Sequence, residues 1–236
     1  MKLGIMQPYF MPYIGYWQLM NAVDKYIIYD DVNYKKGSWV NRNRILMSGK
    51  PEGWGYLNLN LDHASPNKKF NEISVLRDEH FIKKQLRGII GSYQKAPFFN
   101  EVFPLLEDIF TQKESQLAKY LKHSFEVVNR YIGIKTELIM SSDIVKNNDL
   151  KLEKKVIHIC ELMKADKYYS AMGGWDLYSK DEFAEHGIEF IFLKAKDSIK
   201  YKQFNNEFVP ALSIIDVMMF NSVPEIQKML DEYELL

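Results

Sequence analysis

The first thirty residues constrain this chain more than any other stretch. Leu3-Gly4-Ile5-Met6 is a short apolar run closed by Gln7-Pro8, and proline has no N–H to give a central ladder. A loop with Pro8 and Pro12 follows. From Tyr13 onward, Ile14, Tyr16, Trp17, Leu19, Met20 and Val23 form a broad helical face, and Pro12 suits a first helical position. Tyr26-Ile27-Ile28-Tyr29 is then a β-favouring run that ends in Asp30-Asp31. Strand, loop, helix and strand within about thirty residues match a βαβ unit, which puts parallel strands on either side of a crossover helix.

The remainder extends that pattern. Residues 33–53 are polar, hold Gly37, Gly49 and Gly53, and predict loops with short extended pieces ahead of an alternating strand from Trp54 to Leu61. Ile73 to Leu76 predicts another short strand. Helical periodicity runs from about 78 to 131, interrupted at Pro97 and disturbed at Pro104. It predicts one helix to about Tyr93 and one long helix through Leu105, Ile109, Leu117, Tyr120, Leu121 and Phe125. Extended segments at 137–140, 168–171 and 188–193 then alternate with helical ones at 150–163 and 181–185. The expected fold is one α/β domain over residues 1–236, with a mainly parallel sheet flanked by helices in a Rossmann-like architecture. Ligands of such sheets bind beyond the carboxyl ends of the strands, which selects 7–15, 30–44, 141–143 and 172–175 as rim segments.

Charge and composition narrow the function. Lys plus Arg equals Asp plus Glu at 31 each, so no global field recruits DNA or an anionic membrane. The start resembles no signal peptide and no apolar run is long enough to span a membrane, so the expected location is the cytoplasm. Cys160 is the sole cysteine, on the apolar side of a helical stretch, and reads as a core thiol. His63, His80, His123, His158 and His186 form no metal-ligand spacing with one another or with Cys160, and no serine sits in a nucleophile elbow. Zinc and serine-hydrolase chemistry are therefore disfavoured, and no metal site is assigned.

Several polar constellations remain. Gln7 to Tyr16 lies between strand and helix, where unpaired N–H groups and the helix dipole favour an anion and Gly15 would allow close approach. Its placement is similar to the H-I-G-H signature of nucleotidylyltransferase-like folds, with tyrosines, Tyr13 and Tyr16, where the histidines would stand. The alternative is a packing loop of aromatics and prolines. Asp30 and Asp31 close the second strand, where a carboxylate can bind a hydroxyl, hold Mg²⁺ or accept a proton, or can cap a turn. On extended backbone Asn41 and Asn43 share one face and Arg42 and Arg44 the other, which makes either an anion cradle or a solvated edge strand. Gly173-Gly174 could let backbone N–H groups meet a ligand. Ser213 reads as a helix N-cap, with Asp216 as its partner in the first turn.

Gln7-Pro8-Tyr9-Phe10 with Pro12-Tyr13-Ile14-Gly15-Tyr16, Asp24 with Tyr29-Asp30-Asp31-Val32, and Trp39 with Asn41-Arg42-Asn43-Arg44-Ile45 resemble the WbqC-like family of bacterial surface-polysaccharide clusters. So do Ala96-Pro97-Phe98-Phe99, Gly173-Gly174, Tyr201 with Gln203, and Phe208 with Pro210 and Ser213-Ile214-Ile215-Asp216. At Ser170-Ala171-Met172 the chain carries alanine where a glycine is expected of relatives. The resemblance implies a glycine, aminoacyl or other N-acyl transferase acting on a nucleotide-linked amino sugar in O-antigen or lipopolysaccharide biosynthesis. On that reading Arg42 and Arg44 hold the diphosphate, Asp30 or Asp31 accepts the proton of the amine, and Gln7, Tyr13, Gly15, Asn41, Asn43, Gly173, Gly174, Tyr201 and Gln203 bind substrate. Gln7, Gly15, Asp30, Asn43 and Arg44 are then expected in one cleft. The acyl donor and any cofactor stay open, and a homo-oligomer is compatible with these features. The alternatives are nucleotidylyl transfer, which requires a nucleoside triphosphate and Mg²⁺, and a non-catalytic ligand-binding subunit.

Overall fold

A computed structural model of the chain describes residues 1–47, 49–174, 178–205 and 207–236. The amino-terminal unit forms as its sequence predicts. Strand β1 (Lys2–Met6), helix α1 (Ile14–Asn21) and strand β2 (Lys25–Ile28) follow one another, and β1 pairs with β2 in parallel from Leu3 opposite Lys25 to Met6 opposite Ile28. Pro12 stands just outside α1, because Tyr13 is the N-cap. Its carbonyl instead accepts the Trp17 indole N–H at 3.0 Å and the Ile214 N–H at 2.9 Å, tying the loop to distant chain.

A long excursion follows: β3 (Arg42–Leu46), β4 (Trp54–Asn58), β5 (Leu61–Asp62), β6 (Ser74–Val75), then helices α2 (Glu79–Tyr93), α3 (Phe99–Thr111) and α4 (Leu117–Ile132). β3 and β4 form an antiparallel ribbon separate from the main sheet. Arg42 to Leu46 is thus a regular strand within the stretch expected to be mostly loop. The long helix expected through Leu105 and Phe125 is two helices. The Glu114 carboxylate accepts the Ser115 and Gln116 N–H groups at 2.9 and 2.8 Å in the break between them, while Pro104 stays inside α3 without ending it.

The chain then returns through β7 (Glu137–Met140), α5 (Leu152–Leu162), β8 (Lys167–Ala171), α6 (Lys180–Glu185), β9 (Glu189–Ala195), α7 (Ile214–Phe220), α8 (Val223–Leu230) and β10 (Tyr233–Leu235). The sheet order is β10-β9-β8-β1-β2-β7, parallel throughout except for β10 against β9. This is a doubly wound, Rossmann-like α/β sheet. Strand alternation sends successive residues to opposite faces, so Tyr26 and Ile28 join one core with Trp17 and Phe125, while Ile27 joins Leu3, Ile5, Phe183 and Phe190 in the other. Cys160 lies in that second core, where burial pushes its thiol up to about 12. Among the described residues no helix is long and apolar enough to cross a membrane.

Candidate functional site

From β1 the chain winds outward to β2 and β7, and it then crosses back to β8 and β9 on the other side. The strand order therefore reverses between β1 and β8, and the crevice beyond their carboxyl ends is where open α/β sheets bind ligands. A cavity of about 690 Å³ opens there. Tyr13 and Ile14 at the start of α1, Met172 after β8, Leu193 to Asp197 at the end of β9, and Lys200, Tyr201 and Phe208 line it. Lys194, Lys196 and Lys200 face only Asp197 and Glu207 as opposite charges in its wall, so the wall is net positive. Tyr13 supplies no side-chain cap to α1 and the first turn holds no acidic residue, so no side chain neutralises the positive end of the helix dipole.

Two smaller cavities adjoin it. One of about 220 Å³ is lined by Tyr9, Pro12, Tyr13, Trp39, Asn43, Arg44 and Ala211, and one of about 490 Å³ by Arg44, Lys50, Glu52, Trp54 and the segment 207–211 among others. Tyr13 borders the first and second, Arg44 the second and third, and Ala211 all three. Hydrogen bonds fix the walls. Asn43 is buried, donates to the Phe10 carbonyl at 3.1 Å and accepts from the Arg44 N–H at 2.9 Å. The Ser213 hydroxyl donates to the Met11 carbonyl at 2.6 Å, and the Ser213 N–H to the Arg44 carbonyl at 2.8 Å. The amino-terminal loop, β3 and the start of α7 are thereby held together although they are far apart in sequence.

Arg44 donates from Nη2 to the Ala211 carbonyl at 3.0 Å, and its guanidinium lies over the rings of Trp54 and Trp39 at 5.1 and 5.7 Å. Its Nε is buried without a partner. Arg42 shares the strand face but lines none of these three cavities; it donates to the Gly37 carbonyl at 2.6 Å and stacks on Tyr56 at 4.7 Å. Asn41 donates to the Leu59 carbonyl at 3.0 Å and so serves the ribbon. Gly15 leaves no gap for a ligand, because the Tyr13 ring occupies the space, 2.5 Å from where a Cβ would stand. Gln7 directly follows β1, and its carbonyl accepts the Tyr16 hydroxyl at 2.9 Å. Gly173 and Gly174 form a short 3-10 turn with Met172 on the far side of the crevice, Gly173 exposed. Trp175, the last residue of that expected rim segment, lies outside the described residues.

Asp30 and Asp31 stand apart from these cavities, at the β2–β7 end of the same edge. Asp30 is fully buried; one carboxylate oxygen accepts the Ser142 N–H at 2.9 Å and the other has no partner. Asp31 pairs with Lys155 at 2.8 Å and Lys146 at 3.0 Å. Burial pushes the Asp31 carboxyl up, but hydrogen bonds from Lys155, Ser141 and Lys146 outweigh it and hold the group below the usual carboxylate range. The residues expected in one cleft are therefore divided. Asn43 and Arg44 meet Tyr13, whereas Asp30 and Asp31 meet the turn at Ser141–Asp143 and two lysines.

Sequence reading assigned Asp216 to capping, and its position is otherwise. Ser213 does cap α7, accepting the Ile215 N–H at 3.3 Å, but the Asp216 carboxylate accepts from Tyr93 at 2.9 Å, Tyr201 at 2.7 Å and Gln203 at 2.6 Å. Burial pushes this carboxyl up to about 6, against the pull of those three bonds. Gln203 also clasps both polar groups of the Val209 backbone, at 3.1 and 2.7 Å. The available signal was one carboxylate inside the apolar run Ile214-Ile215-Asp216-Val217-Met218-Met219.

No group of three or more His, Cys, Asp or Glu among the described residues is placed to hold a metal ion. Fold and cavities define a doubly wound α/β protein with a net-positive, tyrosine- and phenylalanine-bordered crevice at the strands' carboxyl edge. The WbqC-like protein family matches residues 7–228, and the chain belongs to that family. It is 28% identical over 222 residues to the uncharacterized protein Rv1507c of Mycobacterium tuberculosis, covering 93% of each chain. No solved structure matches it.

Proposed function

We propose that this protein is a transferase that moves an acyl or aminoacyl group onto the amine of a nucleotide-linked amino sugar, in the cytoplasmic stage of surface-polysaccharide synthesis. The observation that carries the reading is the 690 Å³ cavity at the reversal of strand order, a volume within the range of about 300–1,000 Å³ usual for small-molecule sites. The uncapped start of α1 and Lys194, Lys196 and Lys200 suit a diphosphate, the lysines acting as point charges and the helix through its dipole. Arg44, held flat between Trp39 and Trp54, suits a second anionic or sugar group in the adjoining cavity. Asp31, ionised and shared by two lysines, fits holding the rim better than accepting a proton.

The test is a binding and turnover experiment. UDP-glucosamine is titrated into the protein by calorimetry, then incubated with acyl and aminoacyl thioesters and aminoacyl-tRNA while mass spectrometry follows the sugar. Saturable binding that is lost in a Lys194→Ala, Lys196→Ala, Lys200→Ala triple variant, and a mass gain on the amine, support the reading. Binding of nucleoside triphosphate with pyrophosphate release, in place of acyl transfer, would favour nucleotidylyl transfer instead.

A further inference from the structure

We propose that Tyr201 accepts the proton of the attacking amine in this crevice while Asp216, behind it, takes the phenol proton in turn. The inference rests on the transfer reading above and adds the groups that move its proton.

Asp216 has no exposure, and each of its hydrogen bonds comes from an uncharged donor: Tyr93 of α2, and Tyr201 and Gln203 of the segment after β9. Among the described residues no lysine, arginine or histidine pairs with it, in contrast to Asp31 with two lysines. A buried carboxylate without a cation is costly, and such groups concentrate where chemistry needs them. Two of the three donors are locked by a second bond. The Tyr93 oxygen accepts the Leu46 N–H at 2.9 Å, which directs its own hydrogen to Asp216. The Gln203 oxygen accepts the Val209 N–H, which turns its amide nitrogen to Asp216. Of the three, Tyr201 alone borders the 690 Å³ cavity, its ring steadied by Phe208 and Phe220 at 5.2 and 6.4 Å between centroids. Tyr201 is therefore the one member of the hub that borders the crevice.

The chemistry balances. The amine lone pair forms the N–C bond to the acyl carbon as the carbonyl π pair moves to oxygen. The amine proton passes to the Tyr201 oxygen while the phenol proton crosses to Asp216 Oδ2, so the tyrosine never carries a charge. When the oxygen pair returns, the bond to the leaving group breaks with its electron pair, and the proton stored on Asp216 goes back through Tyr201 to that group. A carboxyl raised to about 6 is ionised at neutral pH yet basic enough to take the proton. Burial raises the Tyr201 phenol far above its ordinary value, so it relays a proton instead of standing ionised.

Calorimetry of UDP-, dTDP- and GDP-linked amino sugars between pH 5 and 8, in buffers of different ionisation heat, counts the protons exchanged on binding. It is run on the wild type, on Tyr201→Phe, which leaves Asp216 two donors, and on Asp216→Asn, each first checked by thermal melting. The expected result is proton exchange with a midpoint near pH 6 in the wild type, absent in Asp216→Asn and altered in Tyr201→Phe. With a donor found, Tyr201→Phe lowers kcat about a hundredfold at nearly unchanged KM. The same proton count in all three proteins overturns the relay and leaves the transfer reading standing. Failure of every nucleotide sugar to bind removes the transfer reading and the relay with it.

Discussion

The Arg44 guanidinium donates to the Ala211 carbonyl at 3.0 Å, and that bond joins the β3–β4 ribbon to the residue that borders all three cavities. Trp39 and Trp54 hold the guanidinium flat beside the 220 Å³ and 490 Å³ cavities, which Arg44 lines. Arg44→Ala is expected to weaken nucleotide-sugar binding about 10- to 100-fold, the usual worth of a charge-assisted hydrogen bond. Arg44→Lys keeps the charge but loses the planar fork, and recovers less than half of that loss in free energy. Calorimetry on both variants checks it, and full recovery by lysine would contradict the stacked geometry.

Gly15→Ala separates packing from binding. The added Cβ would meet the outer ring atoms of Tyr13, which is partly exposed and can swing aside, and alanine favours the helix. Stability is expected to change by less than about 1 kcal/mol in urea unfolding. Because Tyr13 borders two cavities, the displaced ring is expected to weaken ligand binding about tenfold, roughly 1.4 kcal/mol. Unfolding of the variant with intact binding in the folded fraction would reverse this assignment.

Much of the fold was legible because its signals are local. The run Leu3 to Met6, the helical face from Ile14 and the run Tyr26 to Ile28 each carry their own periodicity, and together they imply the parallel pairing that forms. An edge strand at 41–44 was one of the two sequence readings, but the full extent of β3 to Leu46 was obscured because Arg42, Asn43 and Arg44 put polar groups on both faces. The division of α3 from α4 rests on a carboxylate, Glu114, capping within an otherwise helical pattern. The site was less legible for a different reason. Asp30 follows the end of β2 and Arg44 sits in the middle of β3, but the surroundings of each depend on partners over a hundred residues away, Ser142 for Asp30 and Ala211 for Arg44.

Asp216 and Asp31 make opposite contributions to acid stability. The Asp216 carboxyl is higher in the folded chain than its unfolded value of about 4, so the folded state binds more protons between about pH 4 and 6. Its ionisation therefore removes stability as pH rises through that window, by on the order of 3 kcal/mol. Asp216→Asn is expected to flatten that slope in denaturant unfolding at pH 4.5 and 7, whatever its absolute stability. An unchanged slope would place the titration elsewhere.

Asp31 behaves in the other sense. Its folded carboxyl lies below the unfolded value, so its stabilisation is complete above about pH 4 and is lost as pH falls through the lower folded value. Lys155→Met leaves a buried carboxylate with one lysine in place of two and is expected to cost about 3 kcal/mol at pH 7. Denaturant unfolding reads the loss, and a neutral result would show that Lys146 alone compensates Asp31.

The most direct measurement is a crystal structure with UDP-glucosamine bound. The expected density puts the diphosphate against the start of α1, between the carboxyl ends of β1 and β8, with Lys194, Lys196 or Lys200 on its oxygens and the sugar amine toward Tyr201. A nucleotide sugar bound anywhere else on the chain, with that crevice empty, would contradict the proposed site.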